Sequence, residues 1–192
     1  VGGPTMAVIS DHCPEIEVTL VDIDESKIAA WNDSDLMNLP IYEPGLKEVV
    51  KRNRNRNLFF STNIAKAISE AEMIFISVNT PTNLSWLGAG YACDLQWVES
   101  SERQVAKYSK GHTIIVEKST VPVKTAELIK DILINSESDS DFEKKTFSVL
   151  SSPEFLAEGT AIKDLENPDR VLIGGEDYGA IDILKEIYVK WI

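Results

Sequence analysis

Asp22 closes a short apolar run, Glu17 to Val21, and stands 20 positions after Gly2. In a dinucleotide-binding fold, one helix and one returning strand separate the last glycine of the phosphate turn from an acid. That acid accepts hydrogen bonds from both ribose hydroxyls, and the interval here fits. Val1-Gly2-Gly3-Pro4-Thr5 would be the tail of such a turn, with a helix over Met6 to Ser10 behind it. Strand-end aspartates are also common turn residues, so spacing alone leaves both readings open. Glu154, after Pro153, could move a proton or simply be a charge at a helix start. Thr120, two before Pro122, reads as a helix N-cap, a place that also receives polar ligands. Cys13, Cys93, His12 and His112 show no ligand spacing, so neither a metal cluster nor a disulfide framework is expected.

Short apolar runs alternate with amphipathic stretches, the pattern of an α/β domain with a parallel sheet. Strands are expected at Glu17–Val21, Leu58–Ser61, Met73–Val78, Thr113–Glu117, Thr146–Leu150 and Arg170–Gly174. Helices are expected at Asn63–Ala71, with Ile64, Ala67, Ile68 and Ala71 on one face, and at Lys124–Ile134, with Leu128, Ile129, Ile132 and Leu133. A further helix is expected over Ala180–Trp191. The stretches 136–145 and 83–92 read as exposed connections.

With 31 acidic and 19 basic residues the net charge is −12, which disfavours nucleic acid and anionic membranes as partners. The longest apolar run, Met73 to Val78, is too short to span a bilayer, and no signal peptide is visible. Two cysteines without a framework suit a reducing, cytoplasmic setting.

Four stretches carry more weight: LPIYEPGL (Leu39–Leu46), FISVNTPT (Phe75–Thr82), EKSTVPV (Glu117–Val123) and PEFLAEGTAIKDLENPDRVLIGG (Pro153–Gly175). In this order, along the whole chain, they resemble the UDP-glucose 6-dehydrogenases, especially the animal type. The resemblance implies a Rossmann-like doubly wound parallel sheet and NAD as cofactor. It implies oxidation of UDP-glucose to UDP-glucuronate by two successive hydride transfers. It places Gly2 at the pyrophosphate, Asp22 at the ribose and Lys27 as a basic cofactor contact. Ser77, Val78, Asn79 and Thr80 match a cofactor-lining turn, and Ser119 and Thr120 the nicotinamide side. Glu154 matches the general acid/base, with Thr120 beside it in the catalytic set. Phe155, Leu156, Ala157 and Glu158 match the segment lining the UDP-sugar, Glu158 also touching cofactor. Asp169 and Arg170 read as structural, a turn residue and a charge at a strand mouth.

The departures are specific. Lys27 stands where arginine is common, which keeps the charge and loses the planar fork. Trp86, Ala89 and Tyr91 replace the family's glycine, lysine and arginine, Glu102 occupies a position usually small and apolar, and Ser152 replaces an asparagine. Neither cysteine matches the family's nucleophile, so both read as structural thiols. Residues 1–192 are therefore expected to be the NAD-binding N-terminal domain of a longer enzyme, without the first strand and first glycines. The central helical and UDP-binding domains, and the elements that pair subunits into hexamers built of dimers, would lie outside it. In the strand order 3-2-1-4-5-6 the first strand is central, and its absence should leave two half-sheets with open edges. Such a chain is expected by itself to be unstable, to aggregate or to borrow a partner, and to be inactive. Two alternatives stay open: a truncated, non-catalytic relative that binds nucleotide or other subunits, and a relative acting on GDP-mannose.

Overall fold

A computed structural model of the chain describes residues 1–81, 95–119, 125–135 and 145–192. The chain divides into two compact units. The first comprises Val1–Ala67, Phe155–Val171 and Asp182–Ile192, and the second Ile68–Glu154 and Leu172–Ile181.

The first unit opens on α1 (Gly2–His12), longer than the expected Met6–Ser10. Gly2, Gly3 and Pro4 are turn formers in isolation. Proline in the first turn costs no intrahelical hydrogen bond, and the helix therefore starts four residues early. Gly3 is required by packing: a Cβ there would meet Trp31 Cζ2 at 2.6 Å. β1 (Val18–Val21) pairs in parallel with β2 (Leu58–Ser61), in the register Val18 to Leu58 and Val21 to Ser61. Between them run α2 (Glu25–Asn32), a 3-10 turn at Leu36–Asn38 and α3 (Leu46–Asn53). Trp31 stacks on Phe60 with ring centres 4.9 Å apart, closing α2 onto the sheet. Val8, Leu46, Val50 and Leu58 are buried between α1, α3 and the strands. Asn57 ties the return from α1 to β1, its side-chain amide donating to the carbonyls of Ser10, Cys13 and Ile16. Cys13 is wholly buried, and burial pushes its thiol up from the ordinary range. Cys93 lies outside the described residues.

The second unit holds β3 (Met73–Ile76), β4 (His112–Glu117) and β5 (Thr146–Ser151), all parallel and adjacent in that order. α5 (Gln96–Tyr108) and α6 (Thr125–Asn135) pack against each other beside them. Ile129, Ile132 and Leu133 of α6 are buried, as their spacing required, while the side chain of Leu128 lies outside the described residues. α4 (Ile64–Glu70) falls within the expected Asn63–Ala71, and α8 (Tyr178–Tyr188) ends three residues before Trp191.

One strand differs. Arg170–Ile173 is not paired; instead a two-residue β6, Gly174–Gly175, runs antiparallel to β5. A Cβ on Gly175 would meet Leu150 Cδ2 at 2.5 Å, so glycine permits the approach and the apolar Val171–Ile173 does not make it. The two sheets, β1-β2 and β3-β4-β5-β6, are the half-sheets expected of a doubly wound fold. The first strand of such a fold has no counterpart among the described residues. Nor is any described helix long and apolar enough to cross a membrane.

Candidate functional site

In the first unit the chain leaves β1 directly into Asp22, which the strand therefore delivers at its C-terminal end. Asp22 Oδ1 accepts from the Asp24 backbone N–H at 2.9 Å, and Oδ2 faces Lys27 Nζ at 3.5 Å. Asp24 caps α2, accepting from the backbone N–H groups of Ser26 and Lys27. The Asp22–Lys27 turn is thus built by two aspartates, one turned inward as a cap and one left at the strand end. Sequence reasoning missed Asp24, although Asp before Glu-Ser-Lys is a legible capping signal. Gly2 stands in the first turn of α1, where backbone N–H groups lie free of intrahelical partners.

The segment Phe155–Glu158 belongs to the same unit and is held from two sides. Glu43, in the Leu39–Leu46 stretch, accepts from Gly159 N with Oε1 at 3.1 Å and from Ala161 N with Oε2 at 3.2 Å. Asp164, within α7 (Ala161–Glu166), accepts from Thr160 Oγ1 at 2.7 Å and from Ala157 N at 3.3 Å. Gly45 makes the Glu43 turn possible, with φ +88 and Ile162 Cγ2 only 3.3 Å from where a Cβ would be. The first and last of the four family-like stretches therefore meet through one carboxylate. Phe155 is 54% exposed, and the Arg170 guanidinium lies over its ring at 5.0 Å. Arg170 stands outside any strand and stacks, where it was expected as a charge at a strand mouth. Ala157 and Glu158 are exposed, and Leu156 is half-buried.

Replacing Glu43 by alanine removes the acceptor of two backbone N–H groups. The expected cost is about 1–3 kcal/mol, from charge-assisted bonds that remain partly solvated. Amide hydrogen exchange at Gly159 and Ala161 should accelerate in the variant. Unchanged protection there would show that the turn holds without Glu43.

In the second unit, β4 ends on Glu117 and delivers Lys118 and Ser119. Lys118 Nζ pairs with Glu154 Oε2 at 3.0 Å, the lysine side chain 3% and the glutamate side chain 14% exposed. Lys118 also donates to Ser152 Oγ at 3.4 Å. A proton acceptor and a positive charge are thereby set side by side. Lys118 was missed as the partner of Glu154, because 36 residues separate them. Ser119 Oγ donates to the Val78 carbonyl at 3.0 Å, joining the turn after β4 to the exit of β3. Ser77 and Asn79 are exposed, and Val78 and Thr80 half-buried. Thr120 and the loop residues Trp86, Ala89 and Tyr91 lie outside the described residues.

The expected residues thus fall into two groups by unit: Gly2, Asp22, Lys27 and Phe155–Glu158 in one, and Ser77–Thr80, Ser119 and Glu154 in the other. Among the described residues no cluster of His, Cys, Asp and Glu is placed to hold a metal ion.

The model of the UDP-glucose/GDP-mannose dehydrogenase family, NAD-binding domain, matches residues 1–192. The chain belongs to this family. It is 57% identical to a UDP-glucose 6-dehydrogenase of Glycine max and 57% identical to that of Caenorhabditis elegans, in each case over its whole length. It spans 39% and 40% of those relatives. Among solved structures of the family, a UDP-glucose dehydrogenase from Pyrobaculum islandicum superposes with a TM-score of 0.81 at 29% identity, covering 100% of this chain and 41% of that one. A GDP-mannose dehydrogenase from Pseudomonas aeruginosa gives 0.80 at 30%, covering 99% and 42%.

Proposed function

We propose that residues 1–192 form the cofactor domain of an NAD-dependent dehydrogenase that oxidises UDP-glucose to UDP-glucuronate in two successive hydride transfers. The observation that carries this is the 57% identity, over the whole length of the chain, to the UDP-glucose 6-dehydrogenases of Glycine max and Caenorhabditis elegans.

NAD suits the residues present. Asp22 stands at a strand end with one oxygen engaged only by a lysine at 3.5 Å, which leaves lone pairs for ribose hydroxyls. A carboxylate in that place favours a free 2′-hydroxyl and repels a 2′-phosphate, selecting NAD over NADP. Gly2, in the first turn of α1, would receive the pyrophosphate, and Lys27 would add a positive charge beside it. Ser77 to Thr80 and Ser119 would line the nicotinamide side with Thr120, and Glu158 would contribute a further cofactor contact. NAD supplies the hydride acceptor. Glu154 would take or return the proton of the reacting hydroxyl, directly or through water, with the Lys118 ammonium balancing its charge. Phe155 to Glu158 would line the UDP-sugar, their backbone fixed by Glu43 and Asp164.

The whole protein would be a cytoplasmic homo-oligomer, a hexamer built of dimers, with its helical and UDP-binding domains contributed by other parts of the polypeptide. A second reading, a non-catalytic relative, is favoured by Glu102, a carboxyl buried in α5 without a partner. NADH formation decides between them. In the full-length protein, two NADH per UDP-glucose consumed is the expected stoichiometry. Activity with GDP-mannose alone, or none with either sugar nucleotide, would sink the proposal.

A further inference from the structure

Lys118 and Ser152 leave neighbouring parallel strands at the same level. Glu117, the last residue of β4, pairs with Ser151, the last of β5. The ladder runs one step further: Ser152 N donates to the Glu117 carbonyl at 2.9 Å, and Lys118 N to the Ile76 carbonyl of β3 at 2.8 Å. The backbone therefore fixes both residues at the C-terminal ends of the strands, where open α/β sheets receive ligands. Pro153 follows, which disposes Ser152 to extended backbone, and Glu154 comes next.

Lys118 is buried and Ser152 has no exposed surface. A buried ammonium is tolerated where it is paired and hydrogen-bonded. Lys118 Nζ lies 3.0 Å from Glu154 Oε2 and 3.4 Å from Ser152 Oγ, to which it donates. Glu117, its neighbour in the chain, gives Oε1 to the Ser119 backbone N–H at 2.7 Å. The lysine is thus held at its root by the sheet and at its tip by the Ser152 hydroxyl. The carboxylate it meets is the more accessible partner, its side chain 14% exposed against 3% for the lysine. A glutamate side chain turns about three bonds, whereas proton transfer requires its oxygen within hydrogen-bond reach of the reacting group.

We propose that Lys118 is a positioning residue for proton transfer: anchored by Ser152, it holds the Glu154 carboxylate through Oε2 in the orientation that meets the reacting hydroxyl of the sugar nucleotide. The proposal rests on the reading of Glu154 as the group that takes or returns that proton. It gives Ser152 a part as well, because the hydroxyl standing in place of the family's asparagine accepts from the ammonium. An ion pair that only ties the ends of β4 and β5 together would share these distances. Its loss would lower stability without a rate effect that depends on Glu154.

The test is the rate of NADH formation by the full-length protein at saturating NAD and UDP-glucose, read in a double-mutant cycle. Glu154→Gln should slow it by about 1,000-fold, as expected when a general acid/base is lost. Lys118→Met keeps the length of the side chain without its charge and should slow it by about 100-fold, the scale of a misplaced reacting group. Both KM values should change by less than about three-fold, since the interaction acts in the transition state. In the Glu154→Gln background, Lys118→Met should cost less than about three-fold more, because the group it positions is already gone. A further loss of about 100-fold there, or no loss in the single variant, would overturn the proposal and leave the Glu154 reading standing. A loss below about ten-fold for Glu154→Gln itself would sink that reading, and the proposal with it. Should Lys118→Met fail to fold, Ser152→Ala decides, since it loosens the lysine without leaving a charge unpaired. A loss of at least about five-fold that vanishes beside Glu154→Gln supports the proposal, and an unchanged rate sinks it.

Discussion

Glu102→Met should stabilise the chain by about 3–5 kcal/mol at pH 8 and by only about 1–2 kcal/mol at pH 5. Methionine has a similar length, fills the same site and needs no hydrogen bond. The pH dependence follows from the direction of the shift. The folded pKa, about 8, lies above the ordinary 4.5, so the folded state keeps a proton that the unfolded chain releases. This contribution to stability is fully present below about 4.5 and is lost as pH rises through 8. Wild-type stability should therefore fall by about 1.4 kcal/mol per pH unit across that window from this group alone. Glu117 adds a loss of the same sign up to about 7. Urea denaturation of both proteins at pH 5 and pH 8 measures the difference. An equal gain at the two pH values would mean that Glu102 is not protonated in the folded state.

Asn57→Ala carries the largest destabilisation expected of a single polar change, about 2–4 kcal/mol. The Asn57 amide donates to three carbonyls, Ser10 at 2.8 Å, Ile16 at 3.1 Å and Cys13 at 3.3 Å. Its own backbone carbonyl receives Val18 N at 2.8 Å, so the same residue sets the end of α1 and the start of β1. Alanine keeps the backbone bond and leaves the three carbonyls short of a donor. Asn57→Asp keeps the shape but turns an acceptor toward them, and should cost at least as much. A loss below about 1 kcal/mol for both variants, read from denaturant midpoints, would show that water replaces the amide without penalty.

The strands were legible where period and composition agreed. Leu58–Ser61 appears with its expected bounds, and β1, β3, β4 and β5 differ from expectation by one or two residues at an end. Arg170–Gly174 misled because Val-Leu-Ile is a strand-like composition, whereas pairing depended on the space that a glycine leaves beside Leu150. α1 was read short because glycine and proline signal turns, and only packing against Trp31 shows why a glycine stands within the helix. Asp22 was legible from a strand end and a helix length. The contacts that hold the candidate site were not. Glu43 reaches Gly159 across 116 residues and Lys118 reaches Glu154 across 36, and nothing in local pattern encodes such pairings. Glu102 was visible as an odd residue in its position, but the burial that gives it consequence is tertiary.

Isothermal calorimetry with NAD on this chain, wild type beside Asp22→Ala, tests the cofactor assignment most directly. Saturable one-site binding, weakened about 10–100-fold by the substitution, is expected if the Asp22 carboxylate holds the ribose through charge-assisted hydrogen bonds. Binding of equal strength in the two proteins, or none in a wild-type chain that circular dichroism shows to be folded, would contradict the assignment of these residues to NAD.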